Sequence, residues 1–177
     1  DTFPTSMNHL YSILLMAGLA VLAVDLAAQP QNLRIDQPGS AAEEVTIAIN
    51  PLNPDNIIAG ANLKYHFSSF DGGRTWTQGE LPDGTWGDPS VLFDKTGRAY
   101  IANLVYGWDA IIVRHSDDGG LTWSEAVKLR GPSSDSARAG SLFRSSLQDK
   151  EYLATDLSDG PHGGNIYAAW SDFTKYG

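Results

Sequence analysis

Glu44, Asp88 and Lys150, with Asp149 beside the last, open three similar segments, Glu44 to Asn50, Asp88 to Asp94 and Lys150 to Asp156, each apolar in the middle and closed by Asn or Asp. Carboxylates and an ammonium at one repeated position can surround a common opening. Such a ring suits a polar ligand, a water cluster or an oxygen-seeking cation such as calcium. A solvated channel with ion pairs is the plainer reading of the same charges. A second set combines aromatic and charged side chains: Trp86 in Leu81 to Asp88, Trp108 and Asp109 in Val105 to Ala110, and Arg138 and Arg144 in the long Arg130 to Lys150 segment. Aromatic planes beside carboxylates and arginines are equipment for sugar binding, because a pyranose ring has an apolar face and a rim of hydroxyls.

These residues need elements to position them, and the elements are repeated. Ser69-Phe70-Asp71-Gly72-Gly73-Arg74-Thr75-Trp76 and Ser116-Asp117-Asp118-Gly119-Gly120-Leu121-Thr122-Trp123 share the pattern Ser-x-Asp-x-Gly-x-Thr-Trp at a spacing of 47 residues. That period falls in the range of propeller-blade repeats. In each copy the Asp side chain can accept hydrogen bonds from backbone N–H groups of its own turn, and Gly73 or Gly120 can take a positive φ. Thr75-Trp76 and Thr122-Trp123 then lead into an outgoing strand.

Strands flank each turn. The three apolar segments above predict first strands; Ile57 to Leu63, Ala99 to Tyr106 and Ile166 to Phe173 predict second strands, separated from the first by Asn, Asp, Pro and Gly clusters. Third strands run through Tyr65 to Ser69 and Ile111 to Ser116, and fourth strands leave through Trp76 and Trp123. This makes four strands per unit, with the third unit reaching only its second strand.

The two turn motifs resemble the Asp boxes of the sialidase-type β-propellers, also called bacterial neuraminidase repeats. The resemblance implies an all-β fold, a β-propeller of four-stranded antiparallel blades. About two and a half blades fit the chain at this period, whereas the family usually has about six, so the expectation is the N-terminal part of a larger protein, inactive as a fragment. It also implies that Ser69, Asp71, Gly73, Thr75, Trp76, Ser116, Asp118, Gly120, Thr122 and Trp123 only fold the blades, on the rim opposite the ligand face.

Sialidases hold the substrate carboxylate with three arginines and use a Tyr–Glu nucleophile and an Asp acid/base. Their first arginine lies in a Phe/Tyr-Arg-Ile-Pro motif. The nearest counterpart here, Leu33-Arg34-Ile35-Asp36, keeps only Arg-Ile, and Phe143-Arg144-Ser145-Ser146 keeps only the aromatic and the Arg. The chain is more similar to a secreted sialidase-like group with Asn-x-Pro-x-Asn before the second strand and Asp-Lys-x-x-x-Ala-x-Asp in the third blade. Those patterns correspond to residues Asn50 to Asn56 and Asp149 to Asp156, and the likeness covers residues 30 to 177. The substrate-binding candidates are therefore Arg34, Glu44, Trp86, Asp88, Trp108, Asp109, Arg144, Asp149 and Lys150.

Residues 1–28 read as a leader: Leu10 to Val24 is an apolar run of about 15 residues ending near Ala27-Ala28, shorter than the roughly 20 that span a bilayer, so a signal peptide is expected rather than a stable membrane span. Residues 29–177 form the incomplete propeller domain. The chain contains no Cys, in keeping with an exported protein held by its sheets rather than by disulfides. A formal charge of −9 with no basic stripe argues against a nucleic-acid partner. The expected setting is secreted, periplasmic or cell-surface, with an extracellular glycan or glycoprotein as partner. Two readings of function follow: a secreted glycoside hydrolase-like propeller acting on or binding glycans, and a noncatalytic scaffold that binds protein or glycan at the cell surface.

Overall fold

The computed structural model describes residues 32–130 and 147–173. The chain divides into two units, Asp1–Arg34 and Ile35–Gly177, and the fold below is that of the second. The leader over residues 1–28, Arg138 and Arg144 lie outside the described residues.

The described chain is all-β. Its strands are β1 (Thr46–Ile49), β2 (Ile57–Ala61), β3 (Tyr65–Ser69), β4 (Thr77–Glu80), β5 (Thr85–Phe93), β6 (Ala99–Val105), β7 (Ile111–Ser116), β8 (Val127–Leu129), β9 (Gln148–Thr155) and β10 (Ile166–Asp172). They form two four-stranded antiparallel meanders, β1-β2-β3-β4 and β5-β6-β7-β8, and a two-stranded antiparallel sheet of β9 and β10. Among the described residues no helix is long and apolar enough to cross a membrane.

The sheets stack in chain order, with β1 and β2 against β5, and β5 and β6 against β9. The sequence dictates this layering. β2 reads Ile57-Ile58-Ala59-Gly60-Ala61 and is buried throughout, as expected of a strand covered on both faces. Between the first two sheets lie Ile58, Leu81, Val91, Phe93, Ala99 and Ile101, with Ala48 and Trp123 packed on them. Gly60 allows the close approach: a Cβ there would sit 2.9 Å from the Cβ of Pro89. Between the second and third sheets, Ala102, Leu104 and Ile111 meet Trp86, Leu153 and Trp170.

Polar ties reinforce the stack at one edge. Buried Asn56 donates from Nδ2 to the carbonyls of Ser69 (3.2 Å) in its own sheet and Gly119 (3.0 Å) in the next. Asn50 accepts the Leu52 N–H at 2.9 Å and donates to Asn56 Oδ1 at 3.2 Å. The two asparagines that close the Asn50 to Asn56 connection therefore join neighbouring sheets as well as shaping a turn.

The third strands coincide with the segments expected from sequence, but the charged repeat position requires a correction. It does not open the strands. Glu44 precedes β1, whereas Asp88 and Lys150 lie inside the longer β5 and β9. The reason is backbone conformation: Glu44, Asp88 and Lys150 have φ of 50°, 48° and 55°. A left-handed residue within a strand breaks the ladder and produces a β-bulge, and the pairing register shifts between Gly87 and Ser90 in β5 and opposite Ala169 and Ser171 in β9. The fourth strand of the second sheet also begins late, at Val127.

Candidate functional site

In an antiparallel meander the third strand runs in the direction of the first, so the turn after it lies at the edge where the first strand ends. The Ser-x-Asp turns between β3 and β4 and between β7 and β8 therefore occupy one edge of the sheets, and the beginnings of β1, β5 and β9 the other.

The turn carboxylates are consumed locally. Asp71 Oδ1 accepts the N–H groups of Arg74 and Thr75, both at 2.9 Å, and Oδ2 accepts the Thr75 hydroxyl at 2.6 Å. Asp118 repeats the arrangement with the N–H groups of Leu121 (3.1 Å) and Thr122 (2.9 Å) and the Thr122 hydroxyl (2.5 Å). Ser69 and Ser116 hydroxyls each accept the N–H of the second Gly at 2.9 Å. Hydrogen bonds from Thr75 hold Asp71 at about 2. Burial pushes Asp118 upward, but bonds from Thr122, Ser116 and Leu121 outweigh it and hold it also at about 2. A carboxylate so strongly held in its charged form is a poor proton donor near neutrality.

At the opposite edge, Glu44, Asp88 and Lys150 meet in a cavity of about 180 Å³. Three equivalent tripeptides, Glu44-Val45-Thr46, Asp88-Pro89-Ser90 and Lys150-Glu151-Tyr152, form its lining. Left-handed backbone is uncommon for residues other than Gly, and its recurrence at all three positions gives the tripeptides a common geometry. The Glu44 and Asp88 carboxyl groups share a hydrogen bond, which lowers Glu44 and raises Asp88 to about 6, the latter also through partial burial and the Glu44 charge. The pair therefore titrates as a unit. Asn62, in the β2–β3 connection, donates from Nδ2 to Glu44 at 2.5 Å and accepts the Asp88 N–H on Oδ1 at 2.7 Å.

Glu151 is the unexpected member. It is 3% exposed, and no other residue supplies a hydrogen bond to either carboxyl oxygen. Burial pushes its pKa up to about 8, helped by the charges of Asp88 and Asp149 and opposed by its own backbone N–H and by Lys150. Among the described residues no group of three acidic or histidine side chains is arranged to hold a metal ion.

A second cavity, of about 310 Å³, opens at the same edge and is lined by Trp86, Tyr106, Gly107, Trp108 and Leu147. Trp86 and Tyr106 pack edge to face, 5.1 Å between ring centroids at 73°. Trp108 has a φ of 60° and is held in the β6–β7 connection by its N–H to the Val105 carbonyl (2.9 Å) and its carbonyl to the Gln148 N–H (2.8 Å). Tyr106 and Trp108 remain 69% and 40% exposed, so aromatic surface is offered to solvent from a fixed backbone. Asp109, next in the loop, lies 3.8 Å from Arg130. Trp86 and Asp88 are two residues apart, so their Cα atoms are separated by at most about 7 Å, and one short segment contributes to both cavities.

The sequence candidates thus divide. Glu44, Asp88 and Lys150 share the acidic cavity, with Asp149 adjoining it in β9; Trp86 and Trp108 share the aromatic one, with Asp109 beside it. Arg34 is exposed and ends the unit Asp1–Arg34. The sequence reading missed Glu151, Asn62 and Tyr106. Glu151 carried little signal, because it follows Asp149 and Lys150 in a strand most of whose residues are half-buried or exposed. Asn62 carried none, because its role depends on contacts with segments 18 and 26 residues away. No protein-family model and no curated protein matches the chain.

Proposed function

We propose that the chain is a sialidase-like β-propeller module, exported from the cell, which binds extracellular glycans at the edge where β1, β5 and β9 begin. The observation that carries this reading is the aromatic cavity of Trp86, Tyr106 and Trp108. A sugar ring can stack its apolar face on such planes while its hydroxyls reach polar groups alongside. Stacked meanders, repeated Ser-x-Asp turns and the gathering of three inner-strand tripeptides at one cavity support the propeller architecture.

Binding fits the geometry better than hydrolysis. Glu44 and Asp88 hydrogen-bond to each other, closer than the separation of about 5 Å or more between the two carboxyl groups of the common glycosidase scheme, so they do not form such a pair. Among the described residues no arginine lines either cavity, so the cluster that holds a sialic-acid carboxylate has no counterpart there.

The test is an array of oligosaccharides probed with the wild-type chain and with Trp108→Ala. Binding weakened at least tenfold by the substitution, with circular dichroism unchanged, is the expected result. Equal binding by both proteins, or no glycan bound by either, would remove the basis for the reading.

A further inference from the structure

The acidic cavity selects among glycans. Glu44, Asp88 and Glu151 line it together with Lys150, Thr46 and Ser90. The Ser90 hydroxyl accepts the Leu153 N–H at 2.9 Å. Glu151 is 3% exposed, and no other residue supplies a hydrogen bond to either of its oxygens. A buried polar group without a partner is costly, and that cost is relieved by whatever supplies the missing donor.

The chemistry of the occupant is constrained from three sides. A divalent cation needs several oxygen ligands in a shell, and no group of three acidic or histidine side chains among the described residues is arranged to hold one. An anionic group would meet carboxyl groups and, among the described residues, no arginine in the lining. A neutral hydroxyl could donate one hydrogen bond but would bring no charge to the carboxyl groups. An ammonium group has three donors and a positive charge, and its bonds to carboxylates are of the strong, charge-assisted kind. A cavity of about 180 Å³ admits such a group with a few attached atoms.

We propose that this cavity binds a primary ammonium group, and that its source is a deacetylated amino sugar whose neighbouring ring lies on the aromatic cleft. The proposal rests on the glycan reading above. Trp86 lines one cavity and Asp88 and Pro89 the other, so neighbouring residues of one segment bring the two within reach of one short oligosaccharide. An N-acetyl group in the same position would lack the charge and two of the three donors.

Calorimetry with the full chain tests this, using a glucosamine oligomer, the matching N-acetylglucosamine oligomer, a lysine-containing peptide and calcium chloride as separate titrants. The expected result is a preference of about tenfold or more for the deacetylated over the acetylated oligomer, falling to near one in Glu44→Gln and in the isosteric Glu151→Gln. Arg74→Ala, at the opposite edge, should leave the preference intact. Equal affinity for both oligomers, with Trp108→Ala weakening both, would overturn the ammonium proposal and keep the glycan reading. Binding of neither oligomer would overturn both. Tighter binding of the peptide, or saturable calcium binding lost in Glu151→Gln, would overturn the amino-sugar assignment in favour of that ligand.

Discussion

Asn62 holds Asp88 by the backbone and Glu44 by the side chain, through the two ends of one amide. It therefore fixes the distance between two repeats as well as the protonation of the pair. Replacing it with Ala removes the donor that helps to keep Glu44 charged, so the Glu44 pKa should rise. The Asp88 N–H also loses its acceptor, for a loss of about 1–2 kcal/mol in stability. Carbon-13 NMR titration of the carboxyl groups, with urea unfolding in parallel, measures both effects. An unmoved Glu44 titration would mean that Asn62 does not tune the pair.

Glu151 gives the protein an alkaline weakness. Its pKa is raised to about 8 in the folded chain from about 4.3 in the unfolded one. Between these values the unfolded state has released the proton and the folded state still holds it, so stability is fully present below about pH 4 and declines up to about pH 8. Glu151→Gln should flatten that decline and raise the melting temperature at pH 8 by a few degrees, about 2–4 °C for each kcal/mol recovered. A melting curve against pH that is the same in both proteins would show that burial of this carboxyl is relieved in solution.

The turn carboxylate Asp118 acts in the opposite direction. Its folded pKa of about 2 lies below the unfolded value of about 3.9, so its stabilisation is present above pH 4 and is lost as pH falls from about 4 to about 2. Asp118→Asn should lower stability at pH 7 and shrink the loss seen on acidification. Thermal melts at pH 7 and pH 3 give the comparison, and an acid-induced loss equal to that of wild type would exclude this role.

Asn56→Ala tests the tie between sheets. Its side chain satisfies carbonyls of Ser69 and Gly119 in two sheets, and truncation should cost about 2 kcal/mol or more. Because the tie lies at the turn edge, glycan affinity should be unaffected in the folded fraction. A change below about 0.5 kcal/mol on urea unfolding would mean that water replaces the amide.

Trp108→Gly separates the fold from the site. Glycine accepts a φ of 60° without the steric cost that Trp bears there, so thermal stability should be kept within about 1 kcal/mol while the aromatic plane is lost. Glycan affinity should fall at least tenfold. A marked drop in melting temperature would instead identify Trp108 as a packing residue.

The sheets were legible because their period is local: Tyr65–Ser69 and Ile111–Ser116 match the segments read from β-branched and apolar residues before each turn. The convergence of Glu44, Asp88 and Lys150 was legible from repeat offset alone. Their left-handed backbone was not, because Glu, Asp and Lys do not announce a positive φ as Gly does. Glu151 escaped notice because its consequence arises from burial between sheets, and Asn62 because a side-chain amide between two repeats leaves no periodic trace.

The bulged positions also bear on how this surface can evolve. Each repeat brings a residue to the acidic cavity from the same left-handed backbone site, and the three sites already hold a glutamate, an aspartate and a lysine. The frame is thus indifferent to the sign of what it carries. Binding preference can be rewritten one letter per repeat, while the apolar strands that stack the sheets keep their sequence.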